Sequence, residues 1–85
     1  MSIIFPFRSR YQTMRFSTAL SKLGFSATVI STPRALSLGC GLSVATTENA
    51  LDVARSLILS LSLGTCIGAF RISNNSARGG YERIF

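Results

Sequence analysis

Apolar residues fall in short runs whose period changes along the chain. Ile3-Ile4-Phe5 is a compact apolar run closed by Pro6, which predicts a first strand. Ser9 and Gln12 then have the Ser-x-x-Gln spacing of a capping box, in which each side chain satisfies a free N–H at a helix start. Phe16, Ala19, Leu20 and Leu23 repeat at i, i+3, i+4 and i+7, one apolar stripe of a helix that Gly24 is placed to end. Phe25 to Ile30 is rich in β-formers and reads as a second strand, stopped by Pro33. Arg34 to Leu38 reads as a loop or a single helical turn. Leu42 and Val44 alternate with Ser43 and Ala45 as a third strand. Thr46 or Thr47 caps a second helix with Glu48 in its first turn, where the dipole favours an acid. Ala50, Ala54, Leu57, Ile58 and Leu61 form its inner face, Gly64 terminates it, and Thr65 to Ile72 reads as a fourth strand.

This order is β-α-β-β-α-β, which predicts an α+β, ferredoxin-like domain over residues 1–72. Four antiparallel strands lie in spatial order 4-1-3-2, with both helices on one face and the other face open. Strands 2 and 4 are then exposed edges able to pair between chains in a homo-oligomer. Residues 73–85 are expected to form a mobile C-terminal tail: Ser73 to Gly80 is polar and contains glycine, and Tyr81 to Phe85 is too short to fold alone.

Composition narrows the chemistry. The chain has 85 residues, 47% of them hydrophobic, which suits one small globule and argues against disorder. It has no histidine, three acids (Glu48, Asp52, Glu82) and two cysteines (Cys40, Cys66). That set lacks the ligands for a metal site, the pairs for carboxylate hydrolysis and the base for histidine catalysis, so neither metal nor cofactor is expected. Two cysteines are too few for a secreted disulfide scaffold. Residues 1–47 carry no acid and several arginines, the composition of a mitochondrial presequence, but their strand and helix punctuation favours an ordered domain. Ser56 to Phe70 lacks charge yet is too short to span a membrane. A cytoplasmic location, with no membrane partner, is the default.

Cys40 is the candidate reactive group. It lies between Gly39 and Gly41, just after Pro33-Arg34, on the predicted loop between strands 2 and 3. Glycine on both sides allows another molecule to approach closely, and a nearby cation favours the thiolate. The predicted topology gathers Arg8, Ser9, Arg10, Arg34 and Cys40 at one edge of the sheet. Arg8 and Arg10 flank the start of the first helix, where the dipole is already positive, so an anion belongs there. Ser37 and Ser43 flank the loop and offer hydrogen bonds to a sulfur anion, or simply serve as turn and strand residues. Cys66 opens strand 4 with strand 1 between it and Cys40. Two strand spacings are about 10 Å, beyond the roughly 7 Å Cα separation of a disulfide, so a Cys40–Cys66 bond would require loop movement and Cys66 reads as a packing residue ahead of a resolving thiol.

The net charge of +6 leaves anionic partners open. Open sheets of this type often bind RNA through aromatic residues on the central strands. Here strand 3 has none and strand 1 offers only Phe5 and Phe7, so no nucleic-acid partner is expected. A domain that senses a small anion or metabolite at Arg8, Arg10 and Arg34, with Cys40 structural, remains an alternative.

Pro33-Arg34, Ser37 and Gly39-Cys40-Gly41-Leu42-Ser43 together resemble the signature of the selenium/sulfur carrier protein-like family, small bacterial and archaeal domains of unknown function. Phe7-Arg8-Ser9-Arg10 with Gln12, Met14 and Phe16, and Ile67-Gly68 with Phe70-Arg71, are also similar to its members. The resemblance implies that Cys40 accepts sulfur or selenium as a persulfide or selenopersulfide and passes it on. Arg34, Arg8 and Arg10 would steady the anion, and Gly39 and Gly41 would keep the loop open. The partners implied are sulfur or selenium donor and acceptor proteins, such as a cysteine desulfurase. The implied role is that of a carrier, not of an enzyme with its own turnover.

Overall fold

The structure, a computed structural model, describes residues 2–36, 41–72 and 80–85. The chain is α+β. Its elements are β1 (Ile3–Phe7), α1 (Arg10–Lys22), β2 (Ala27–Ser31), β3 (Leu42–Thr46), α2 (Leu51–Ser60), β4 (Phe70–Ile72) and β5 (Tyr81–Arg83). They form two helices and one five-stranded antiparallel sheet in the order β2-β3-β1-β4-β5. The first four strands keep the expected 4-1-3-2 order. The fifth strand departs from the expected four-stranded plan.

β1 is the centre of the sheet, and its two faces differ. Ile3, Phe5 and Phe7 join Phe16 and Leu20 of α1, Val44 of β3 and Ala54 of α2 in the core. Phe16 is wedged between Phe5 and Phe7, with ring centroids 5.1 and 5.2 Å away. Strand alternation sends Ile4 and Pro6 to the opposite face, beside their register partners Ala45 and Ser43. That face is not open as expected: Ile4, Pro6, Ser43, Ala45 and Phe70 are all buried.

Pro6 does not close the first strand; the ladder to β3 runs on to Phe7↔Leu42. A strand residue directs its N–H and C=O to the same side, and the Pro6 carbonyl accepts from Ile67 N at 2.8 Å. The missing N–H therefore faces the β4 side, not the β3 ladder. On that side β1 pairs with β4 only at Ile3↔Arg71 and Ile4↔Phe70, with an isolated bridge at Phe7↔Cys66. The expected fourth strand from Thr65 is accordingly three residues long.

The helix starts and stops are local, with two corrections. Ser9 caps α1 by accepting from Gln12 N, and Gly24 follows the helix with φ +90°, as the spacing predicts. Thr47 precedes a short 3-10 turn at Glu48–Ala50 without capping it through its side chain. The turn after α2 places Ser62, not Gly64, at positive φ (54°).

The chain end is the larger correction. Instead of a mobile tail throughout 73–85, Tyr81–Arg83 pairs with the outer edge of β4, and Phe85 packs against Phe5 with centroids 6.2 Å apart. The expectation for Ser73 to Gly79 lies outside the described residues. Residues too few to fold alone are ordered here because β4 presents an unpaired edge and the core presents an apolar seat. Of the two edges expected to be exposed, β4 is thus covered, while β2 has no partner strand on its outer side among the described residues.

Candidate functional site

One row of residues crosses the sheet where β1 ends. Ser31 is opposite Leu42, Leu42 is opposite Phe7, and Phe7 bridges Cys66. Both the β1–α1 and the β2–β3 connections leave the sheet at this row.

Gly41, the first described residue before β3, closes the β2–β3 connection by accepting from Thr32 N at 3.0 Å. A Cβ on Gly41 would lie 3.1 Å from the Phe7 carbonyl oxygen, so this glycine lets the connection pass close over the end of β1. Ser43 does not face an incoming anion: it is fully buried, with its hydroxyl 2.8 Å from that of Thr32. Arg8 and Arg10 are exposed on either side of the half-buried Ser9, and Arg34 is exposed on a single 3-10 turn, Arg34–Leu36. Ser37, Gly39 and Cys40 lie outside the described residues.

The start of α1 is tied to the chain after α2 by a network that sequence reasoning missed. Arg8 N donates to the Thr65 carbonyl at 3.0 Å, and Ser9 N donates to Thr65 Oγ1 at 3.2 Å. Gln12 Oε1 accepts from both Thr65 N (3.0 Å) and Thr65 Oγ1 (2.7 Å). The capping-box spacing of Gln12 is the visible signal, yet its side chain turns to Thr65 instead of back to the Ser9 N–H. The network holds the Arg8–Arg10 segment in place at the end of the sheet.

Cys66 sits one residue further on, packed against the core beside Phe7. Burial pushes its thiol up to about 11, so it stays protonated at neutral pH. Its Sγ donates to the Gly68 carbonyl at 3.5 Å. A protonated, half-buried thiol of this kind is a poor nucleophile. Among the described residues, no three His, Cys, Asp or Glu side chains cluster as a metal site. Among them, too, no helix is long and apolar enough to cross a membrane.

Charge is sorted along the sheet. Glu48 is hydrogen-bonded to Arg71, Glu82 lies 3.8 Å from the same guanidinium, and Arg71 stands opposite Ile3. Asp52 is in the first turn of α2, directly after the Glu48–Ala50 turn. All three acids of the chain therefore lie at the end where β1 begins, and Arg8 and Arg10 lie at the end where it finishes. A basic end beside Gly41 is suited to an anion.

Residues 2–64 match the family described as Putative Se/S carrier protein-like. The chain belongs to that family. The match takes in Arg8, Arg10, Arg34 and Cys40 and stops before Cys66 and the Ile67-Gly68 and Phe70-Arg71 pairs. No curated protein and no solved structure matches the chain.

Proposed function

We propose that the protein carries sulfur or selenium on Cys40, in the cytoplasm, between a donor protein and an acceptor protein. Membership of the Se/S carrier-like family, over a segment that contains Cys40, carries this reading. In the loading step the Cys40 thiolate attacks the outer sulfur of a donor persulfide. The donor S–S bond breaks, its electron pair leaves on the donor thiolate, and a new S–S bond forms on Cys40. Arg8, Arg10 and Arg34 favour the thiolate before transfer and the persulfide anion after it. On this reading the protein is a carrier without turnover of its own.

Incubation with a cysteine desulfurase and cysteine, followed by intact-mass and peptide mass spectrometry, tests this. The expected result is a single added sulfur, about +32 Da, on Cys40 and none on Cys66. A Cys40→Ser variant should take up none. An unmodified Cys40, or a Cys40→Ser variant with full activity in cells, would turn the reading to an anion-sensing domain with a structural cysteine.

A further inference from the structure

We propose that the exposed face of α1 is the docking surface for an acidic patch on the protein that donates sulfur or selenium; this rests on the carrier reading. Tyr11, Met14, Arg15, Thr18 and Lys22 recur at i, i+3, i+4, i+7 and i+11, so they share one face of the helix. It is the outward face, because Phe16 and Leu20 are buried in the core. Tyr11 is 72% and Met14 51% exposed, one turn apart on this face. With Arg15, Lys22 and Leu61 they line a shallow groove of about 390 Å³.

The electrostatics select the occupant. α1 carries three cations (Arg10, Arg15 and Lys22) and no acid. Tyr, Met and Arg are the residues enriched at protein interfaces, and a cationic rim around them complements an acidic partner. A membrane fits less well, because an interfacial helix needs a broad apolar face and the apolar stripe of α1 is already buried. Single-stranded nucleic acid needs successive aromatic platforms, and this face has one tyrosine. A 13-residue helix is about 20 Å long. That suits a small, transient interface, which a carrier requires in order to leave its donor. The face begins at Arg10, so a partner seated on it also reaches the end of the sheet where Gly41 lies.

The test titrates isotope-labelled protein with a cysteine desulfurase and follows backbone amide shifts, alongside loading of Cys40 by the desulfurase and by glutathione persulfide. Shifts centred on Tyr11, Met14, Arg15 and Lys22, weakening with salt, are expected. Met14→Glu and Arg15→Glu, both at exposed positions, should each weaken binding and desulfurase-dependent loading about tenfold while leaving loading by glutathione persulfide unchanged. Shifts on another surface, no binding, or variants that load as well as the wild type would overturn the inference. So would binding to anionic phosphatidylglycerol vesicles or poly(U) in place of the desulfurase. Binding through α1 with no sulfur on Cys40 would instead leave the docking surface standing and remove the carrier reading.

Discussion

Cys66 shows how one contact decides a residue's chemistry. Its bridge to Phe7 places the thiol against the core, and burial raises it from an ordinary value of 9.0 to about 11. In a Cys40→Ser background, iodoacetamide should label Cys66 slowly near neutral pH, with the rate climbing only as pH approaches about 11. A labelling midpoint at the ordinary thiol value would mean the site is open. The sign for stability follows from linkage. The unfolded chain loses this proton first, so the folded state is disfavoured as pH rises from about 9.0 towards about 11. Gly68 is the other decisive residue here: a Cβ on it would lie 2.5 Å from the Phe85 carbonyl oxygen, so only glycine lets the chain end pass.

Among the elements, β5 and the residues after it do most that the hydrophobic pattern does not announce. Ile84 N donates to the Ala69 carbonyl at 2.7 Å, and Ala69 N donates to the Phe85 carbonyl at 3.3 Å, extending the β4–β5 pairing. Arg83 Nε and a terminal guanidinium nitrogen donate to the carbonyls of Phe85 and Ile67 at 3.1 and 3.2 Å. The Arg55 guanidinium lies 4.5 Å from the Phe85 ring centroid. Phe85→Ala should lower unfolding free energy by about 1–2 kcal/mol in urea melts, less than for a fully buried phenylalanine because Phe85 is half-buried. An unchanged midpoint would show that the chain end contributes nothing to the core.

At the scale of the whole molecule, charge is separated between the two ends of β1. The acidic end is internally neutralised: Arg71 holds the Glu48 carboxyl below its usual range through hydrogen bonding. A lowered folded value means the Glu48 contribution to stability is present above the ordinary carboxylate range and disappears as pH falls through the folded value. Because both groups are exposed, the effect is small and salt-sensitive. The melting-temperature difference between wild type and Glu48→Gln should therefore shrink on acidification and at high salt. A difference that grows on acidification would contradict the ion pair. At the other end Arg8 and Arg10 are exposed.

The sequence by itself determined what depends on neighbours along the chain. Helical spacing set Phe16 and Leu20 as the inner stripe of α1, though Leu23 at its end is 56% exposed; Ser9 set its cap and Gly24 its end, and β-rich runs set β2 and β3. The Pro-Arg and Gly-Cys-Gly block set the family. Only the tertiary structure decided what depends on groups distant in sequence. Pro6 lies in a central strand because its missing N–H faces the side where β4 stops short. Gln12 serves Thr65, 53 positions away. Tyr81–Phe85 is ordered by an edge and a core that other segments supply. Local patterns carry the backbone's own preferences, whereas the pairing of an edge or the burial of a thiol depends on surfaces that exist only once the sheet has formed.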